Sequence, residues 1–190
     1  MYKNILMAVD GSNYTDAILQ TGIHIARAFN SYVYLLTIAD IRVFEWATAI
    51  GADGFIPIIP SGLYQEESRK ILDEKCKKIM EKCSDILSTE KIKFHTECLV
   101  GAPADTILEK SQTADLVIMG KRGEFSTWDK KTLGATTDAV SRGIFKPLLV
   151  VEKPAKEIKK ILIGYDGSRH ANQVLMYVGH LAEALKSSID

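Results

Sequence analysis

The chain has 190 residues, of which 46% are hydrophobic and 25% are charged, so it can bury a globular core and does not resemble a disordered chain. Its 24 Lys and Arg residues balance its 24 Asp and Glu residues, which excludes a strong net field toward nucleic acid or an anionic membrane. No apolar stretch near the start has the length of a signal peptide or membrane span, so we expect a cytoplasmic protein.

Apolar runs alternate with helical patterns over residues 1–153. The runs are continuous, which is typical of strands in a parallel sheet that helices cover on both faces. Strands are predicted at residues 5–9, 32–39, 94–100, 116–119 and 147–152. Helices are predicted at about residues 14–29, 63–87, 104–111 and 136–142. This order predicts an α/β, doubly wound, Rossmann-like fold with a five-stranded, mostly parallel sheet and helices on both faces.

One short motif occurs twice in the chain. Asp10-Gly11-Ser12 follows the first strand, Asp166-Gly167-Ser168 follows another apolar run, and a helical pattern comes after each. Such a long period indicates duplicated domains, since solenoid repeats have periods of roughly 20 to 50 residues. We therefore predict a domain at residues 1–153, a linker at 154–158, and the first strand and helix of a second, incomplete copy at 159–190.

The three cysteines lack the paired spacing of a zinc site, and their odd number does not predict a disulfide framework. Cys76 and Cys83 lie two turns apart on the apolar stripe of the second helix, and Cys98 lies near the end of the third strand. Cysteine at such positions usually acts as a small buried hydrophobe, and we expect this role for all three. His24 and His180, at equivalent positions on apolar helix faces, are also expected in the core.

Glycines surround the end of the fourth strand and the start of the next helix. Gly120-Lys121-Arg122-Gly123 follows the strand directly, and Gly134-Ala135-Thr136-Thr137 opens the helix. Glycine lets backbone amides approach phosphate oxygens, and a helix start presents free amides at the positive end of the dipole. Lys121 and Arg122 could add charge. The pattern predicts a phosphate site, although a glycine after a strand is also typical of a simple turn.

Six segments of the first domain carry a resemblance when they are taken together. They are residues 5–12, 101–103, 115–120, 121–123, 134–136 and 147–151. In this order the chain resembles the universal stress protein family, and residues 159–190 resemble its first strand and Asp-Gly-Ser turn again. The resemblance implies a tandem-domain member whose second domain is truncated.

Family members that contain Gly-x-x-Gly, nine residues, and then Gly-Ser or Gly-Thr resemble ATP binders, so the resemblance implies ATP as cofactor, with or without magnesium. Here ten residues separate Gly123 from Gly134, and Ala135 replaces the hydroxyl residue. A loop can accommodate one extra residue at little cost. The missing hydroxyl removes a hydrogen bond to phosphate worth about 1.5 to 3 kcal/mol, unless Thr136 or Thr137 replaces it. We expect ATP binding that is weakened but retained.

The resemblance also implies which residues contact the nucleotide. Asp10 and Ile38 would frame the adenine and ribose. Met119 and Gly120 would border the base and sugar, and the residues from Gly123 to the next helix start would hold the phosphates. The full set is Ala8, Val9, Asp10, Ile38, Gly101, Met119, Gly120, Arg122, Gly123, Gly134, Ala135 and Thr136. By its sequence alone, Asp10 is equally well explained as an Asx turn or a helix cap, and Ser12 or Asn13 can also cap the helix.

No nucleophile, base and orienting group converge in the sequence, so we expect no catalysis beyond slow ATP hydrolysis. Asp10 and Asp115 could help to place magnesium, which takes most of its ligands from phosphates and water. The leading hypothesis is an ATP-binding protein with a regulatory or stress-response role. One alternative is a same-fold scaffold that does not bind ATP and holds a partner or small ligand with residues 41–59. Another is an enzyme that uses ATP for adenylation or phosphotransfer.

The last strand of the domain, residues 147–152, is strongly apolar and is expected near the sheet edge, where an unpaired strand tends to pair with another chain. The resemblance likewise implies a homodimer joined through this strand. Apolar residues in the incomplete copy need a surface to cover them. We therefore expect residues 159–190 to pack on a partner chain or to exchange between protomers.

Overall fold

The computed structural model describes residues 1–40, 62–124, 132–155 and 157–190. The first domain contains the strands β1 Asn4–Ala8, β2 Tyr32–Ala39, β3 Lys93–Val100, β4 Leu116–Gly120 and β5 Leu148–Val151. These strands form one sheet in the order β3-β2-β1-β4-β5, and each pairing is parallel. The predicted α/β fold is confirmed, and β3 and β5 are the two edge strands.

Helices cover both faces of this sheet. The described helices are α1 Thr15–Phe29, α2 Gly62–Thr89, α3 Pro103–Ser111, α4 Ala135–Gly143 and α5 Arg169–Leu185. Successive strand residues point to opposite faces, so Ile5 and Met7 pack with α1 and α2 while Leu6 packs with α3 and α4. Within the described part of the chain, no helix is both long and apolar enough to cross a membrane.

The start of α1 differs from the expectation that Ser12 or Asn13 caps it. Tyr14 occupies the N-cap position, and its side chain makes no capping hydrogen bond. The Ser12 hydroxyl instead accepts a hydrogen bond from the Tyr14 N–H at 3.3 Å, and the Ser12 carbonyl accepts one from Thr15 at 3.0 Å. Ser12 therefore stabilises the tight turn that precedes α1 and does not cap the helix itself, because the chain bends at the preceding Asp-Gly pair.

The repeated Asp-Gly-Ser motif adopts the same turn in both places. Oδ1 of Asp10 accepts a hydrogen bond from the Ser12 N–H at 3.0 Å, and Oδ1 of Asp166 accepts one from Ser168 at 2.9 Å. The glycines between them have φ of +79° and +78°, a region that suits glycine. Hydrogen bonds from Ser168 hold the pKa of the Asp166 carboxyl below its usual value. The second motif is therefore a structural copy of the first turn.

Residues 157–190 contain α5 and a two-stranded parallel sheet, β6 Lys160–Ile161 with β7 Ser188–Ile189. Tyr177, Leu181 and Leu185 of α5 pack against the core of the first domain. The Tyr2 hydroxyl donates a hydrogen bond to the Tyr177 carbonyl at 2.9 Å. This face of α5 therefore packs within the same chain, and the packing of the segment on a partner chain stays a prediction.

The rest of the second unit is more open to solvent than the sequence predicts. Leu162 is 83% exposed, and Val174, Leu175 and Met176 of α5 are exposed as well. His180 is also exposed, so its expected place in a core is wrong, whereas the equivalent His24 is partly buried against the first domain. The two histidines differ because α1 packs on a five-stranded sheet, whereas the described residues 157–190 form a sheet of two strands.

A disulfide bond joins Cys76 of α2 to Cys98 of β3. Their Cα atoms are 6.3 Å apart, which lies within the range that a disulfide spans. The expectation that these two cysteines act only as small hydrophobes is therefore wrong. Sequence spacing could not reveal the pair, because the crossover between β2 and β3 brings α2 beside β3. The odd number of cysteines also argued against a disulfide, although two of the three form one.

Cys83 is the free cysteine among the described residues, and it is fully buried as predicted. Burial raises the pKa of its thiol from the usual 9.0 to about 11, because the charged thiolate loses its hydration in the core. Below the usual pKa both folded and unfolded chains keep the thiol neutral. As the pH rises toward 11 the unfolded chain ionises first, so this group then favours unfolding.

We therefore expect the free energy of unfolding to fall between about pH 9 and pH 11 more steeply in the wild-type protein than in a Cys83→Ala variant. Urea unfolding at several pH values, with the Cys76–Cys98 bond intact in both proteins, measures the two slopes. Tyr2, whose pKa burial raises to about 12, contributes equally to both chains. Parallel slopes would contradict the assignment.

Asp115 holds the amino-terminal end of the sheet together. Its Oδ2 accepts hydrogen bonds from the Lys3 N–H at 2.7 Å and the Asn4 N–H at 2.9 Å. These contacts join the chain before β4 to the chain entering β1. Asp115 therefore lies at the end of the sheet opposite the carboxyl ends of the strands.

Replacing Asp115 by Ala is expected to lower the free energy of unfolding by about 1 to 2 kcal/mol, because two backbone donors lose a charged acceptor at a partly solvated site. Urea denaturation measures the change. Asp73→Ala, at an exposed position of α2, serves as the control and should leave stability nearly unchanged. Equal stabilities of the two variants would show that the Asp115 contacts add nothing.

Candidate functional site

A cavity of about 490 Å³ opens at the carboxyl ends of β1, β2 and β4, a volume typical of small-molecule sites. The position follows from the sheet order, because the chain leaves β1 toward one face and β4 toward the other, and a crevice remains between them. Eleven of the twelve predicted contact residues line it, namely Ala8, Val9, Asp10, Ile38, Met119, Gly120, Arg122, Gly123, Gly134, Ala135 and Thr136. The structure thus brings the predicted residues together.

Gly101 is the predicted residue that does not line the cavity. Its N–H donates to the Ala39 carbonyl at 3.2 Å, which extends the pairing of β2 with β3 by one residue. The following α3 supplies the wall instead, through Pro103 and Ile107. Gly101 therefore follows the end of the strand, and Pro103 and Ile107 line the cavity where Gly101 was predicted to do so.

Sequence reasoning missed the wall that α2 contributes. Ile71, Leu72, Cys76 and Ile79 line the cavity from this helix. The apolar stripe of α2 indicated a buried face, but periodicity does not say what that face covers. The segment 41–59, which the scaffold hypothesis assigned to a partner or small ligand, lies outside the described residues.

The Asp10 carboxylate connects the two sides of the crevice. While Oδ1 closes the Asx turn, Oδ2 accepts a hydrogen bond from the Glu124 N–H at 2.8 Å. A Cβ atom on Gly123 would lie 2.8 Å from Oδ2, closer than side chains approach in proteins. Glycine at position 123 therefore allows the loop after β4 to reach Asp10. The Asx-turn interpretation is correct for one oxygen, and the other oxygen holds the glycine loop.

Gly134 brings the start of α4 against the same loop. Its N–H donates to the Lys121 carbonyl at 3.0 Å, and a Cβ atom there would lie 3.0 Å from Cα of Arg122. Gly134 is the extended N-cap residue of α4, and among the described residues no side chain caps this helix. The first amides of α4 therefore have no described side-chain partner and point toward an anion in the favourable direction of the helix dipole.

Arg122 is the buried cation of the cavity wall. Arg122 is 6% exposed, and its Nε donates to the Thr132 carbonyl at 2.8 Å. Its Nη2 is buried without a hydrogen-bond partner in the described part of the chain. Leaving a buried donor on a charged group unpaired costs roughly 1 to 3 kcal/mol or more. An oxygen of an anionic ligand in the cavity would satisfy this donor.

Two threonines follow Ala135, and the structure gives them different roles. The Thr137 hydroxyl is buried and donates to the Gly120 carbonyl at 2.9 Å, so it fixes the end of β4 to α4. Thr136 lines the cavity and is partly exposed. Of the two hydroxyls that could replace the one missing at position 135, the Thr136 hydroxyl is therefore the candidate.

Two other predicted charges lie away from this site. Lys121 does not line the cavity, because its ammonium group pairs with Glu152 at 2.9 Å and lowers the pKa of that carboxyl. Asp115 is at the opposite end of the sheet, so its expected part in placing magnesium is wrong. Across residues 1–40, 62–124, 132–155 and 157–190, no three His, Cys, Asp or Glu side chains are grouped to hold a metal ion.

The described lining of the cavity provides both charged and apolar groups that can bind a ligand. Its described charged residues are Asp10, Asp40, Lys75, Arg122 and Glu124, and its described lining contains no histidine. Both Asp10 oxygens accept backbone hydrogen bonds, and Lys75 of α2 forms an ion pair with Glu124. The geometry therefore suits an anion at the glycine loop next to an apolar group between β2, β4 and α2.

Comparison with known proteins identifies relatives over the same residues. Residues 1–152 match the sequence pattern of the universal stress protein family. The chain is 33% identical over 159 residues to Universal stress protein MJ0531 of Methanocaldococcus jannaschii, an overlap of 83% of this chain and 86% of that protein.

Solved structures agree in fold. A universal stress protein from Archaeoglobus fulgidus superposes with a TM-score of 0.74 at 17% identity, covering 98% of this chain and 63% of that one. Another from the same organism, in complex with dAMP, gives a TM-score of 0.54 at 17% identity and covers 80% of this chain and 98% of that one. This chain thus spans less than two thirds of the longer structure. The family match over 152 residues and the 33% identity show that the chain belongs to the universal stress protein family.

Proposed function

We propose that this chain binds ATP in the cavity between β1 and β4 and acts as a regulatory stress-response protein with little or no catalysis. The observation that carries the proposal is the buried Arg122 guanidinium, which lines the cavity near the start of α4 and whose Nη2 lacks a partner among the described residues. A phosphate oxygen would satisfy this donor and the first amides of α4. The dAMP complex of the Archaeoglobus relative supports an adenine nucleotide as the ligand.

The remaining walls fit the rest of the nucleotide. Ile38, Met119 and Leu72 offer apolar surface for an adenine ring, and the cavity volume of about 490 Å³ accommodates a molecule of this size. Gly123, Gly134 and Thr136 would hold the phosphates. Magnesium, when present, would be held by the phosphates and water, because both oxygens of Asp10 already accept backbone hydrogen bonds.

Equilibrium binding of ATP, ADP and AMP by calorimetry tests this proposal. We expect ATP to bind more tightly than AMP, because the glycine loop, Arg122 and the start of α4 can contact the additional phosphates. An overnight turnover assay should release little ADP. No binding of any of the three nucleotides would overturn the proposal, and rapid turnover would favour an ATP-using enzyme.

A same-fold scaffold or small-ligand protein is the second candidate, and one observation favours it. Ala135 leaves the first position of α4 without the hydroxyl that the ATP-binding pattern of the family contains. Replacing Ala135 by Ser should strengthen ATP binding up to about tenfold if the hydroxyl contacts phosphate. If neither the wild type nor this variant bound a nucleotide, the scaffold hypothesis would be supported.

We further propose that the chain is a cytoplasmic, tandem-type member that forms a homodimer through residues 147–152. The edge position of β5 and the partial exposure of Val150 support this assembly. Val150→Lys should shift the mass measured by light scattering toward the monomer. Val100→Lys, on the opposite edge strand β3, is the matched control and should leave the mass unchanged.

A further inference from the structure

The Cys76–Cys98 disulfide lies beside the cavity and joins its α2 wall to an edge of the sheet. Cys76 is 3% exposed and lines the cavity. Cys98 is exposed on β3, where it pairs with Thr37 of β2. The bond thus has one end buried at the site and one end open to solvent.

Burial changes along α2 from residue 70 to its carboxyl end. Toward its carboxyl end, Cys83 and Leu87 are completely buried in the core. Toward its amino end, none of residues 70–75 is buried, although Ile71 and Leu72 line the cavity. From residue 70 onward, Cys76 is the first buried residue of the helix. The disulfide therefore lies where the anchored half of α2 passes into the half that covers the cavity.

A second contact ties this half to the glycine loop. Lys75 forms an ion pair with Glu124, whose N–H is held by Asp10. Both side chains of the pair are about 40% exposed, and exposed ion pairs contribute little stability. The covalent bond is consequently the stronger restraint on this part of α2. Without it, local opening of the helix start becomes easier.

We propose that Cys76 and Cys98 form a reversible redox site, in which oxidation fastens α2 over the cavity and reduction releases it. The effect on ligand exchange rests on the proposed function, whereas the redox step does not. Because Cys98 is exposed, a thiolate from solution can reach its sulfur, and exposed disulfides are the ones that exchange readily. Cys83, buried two turns away, takes no part.

A small-molecule disulfide, such as glutathione disulfide, is the oxidant that converts the two thiols to a disulfide. The Cys98 thiolate attacks one sulfur of the oxidant, forms a mixed disulfide and expels the first thiol. The Cys76 thiolate then attacks Sγ of Cys98 and expels the second thiol. The protein loses two electrons and two protons, and the oxidant becomes two thiols. Reduction runs through the same steps in reverse.

Three measurements on the full chain with Cys83→Ala, which leaves only the reacting pair, test the proposal. Alkylation and mass spectrometry in glutathione buffers of graded ratio count the free thiols. Hydrogen exchange compares residues 62–75 with residues 80–89. Stopped-flow fluorescence follows the dissociation of a fluorescent ATP analogue. We expect reversible opening of the bond in the folded protein, faster exchange in residues 62–75 only, and dissociation about tenfold faster after reduction.

Cys98→Ser, at the exposed end of the bond, should behave like the reduced protein in both oxidising and reducing buffers. Cys76→Ser should do the same, and agreement of the two variants excludes a folding defect at the buried position. An exchange rate in residues 62–75 that reduction leaves unchanged, or a bond that thiols open only on unfolding, would overturn the proposal. If the analogue dissociated from the oxidised and the reduced protein at equal rates, the proposed effect of the redox site on the ligand would be overturned. If the analogue did not bind but hydrogen exchange still depended on the redox state, the proposed function would be overturned. The proposed redox site would not be affected.

Discussion

Replacing Arg122 by Met should raise the dissociation constant for ATP about 10- to 100-fold. A hydrogen bond to a charged group contributes about 1.5 to 3 kcal/mol, and each 1.4 kcal/mol changes affinity tenfold. Met has a similar length and is apolar, so it fills the buried space without leaving a donor unpaired. We therefore expect the ligand-free variant to unfold at a temperature equal to or above that of the wild type. Calorimetry with ATP and thermal unfolding with and without ATP measure both effects.

Arg142→Met is the matched control, because Arg142 lies in the last turn of α4, does not line the cavity, is exposed and pairs with Asp138 four residues earlier. Its ATP affinity should equal that of the wild type. Arg122→Lys keeps a positive charge but not the forked geometry, and we expect an intermediate affinity. If Arg122→Met destabilised the ligand-free protein and left ATP affinity unchanged, Arg122 would be a structural residue rather than a phosphate contact.

Replacing Asp10 by Ala should weaken ATP binding about tenfold and lower the free energy of unfolding by about 2 kcal/mol. The variant loses both backbone contacts of the carboxylate, one to Ser12 and one to Glu124. The glycine loop would then be free to move away from β1, and Arg122 with it. Urea unfolding and ATP calorimetry measure the two changes.

The second Asp-Gly-Ser turn provides a control for this variant within the same chain. Asp166 makes the same Asx turn with Ser168 but does not line the cavity. Asp166→Ala should leave ATP affinity unchanged and should affect stability less than Asp10→Ala does. A similar loss of affinity in both variants would mean that the turn acts through general stability, and not by holding the loop after β4.

The fold was predictable because its signals are local. Continuous apolar runs such as residues 5–9 and 116–119 indicate strands with two covered faces, and the sheet confirms them. The Asp-Gly-Ser turn was recognisable for the same reason, since its hydrogen bond joins residues only two positions apart. The glycine loop was also recognisable, but its contact with Asp10 spans 114 residues and was not predicted.

The site was only partly predictable, because several of its features depend on distant elements. Gly101 matched the family pattern, yet the cavity wall at that point is formed by Pro103 and Ile107. Lys121 had the right charge at the right place in the chain, but Glu152 at the end of β5 binds its ammonium group. Nothing in the local sequence shows which carboxylate a lysine will meet after the sheet has formed.

Sequence alone determined the strand and helix pattern, the family, the repeated turn and eleven of the residues that line the cavity, because each depends on neighbours or on a motif of fixed spacing. Tertiary structure decided which groups meet across the sheet. It placed α2 on the cavity, paired Cys76 with Cys98 and left Nη2 of Arg122 unpartnered among the described residues. These contacts join residues brought together only by the crossovers between parallel strands, and periodicity carries no information about such distances.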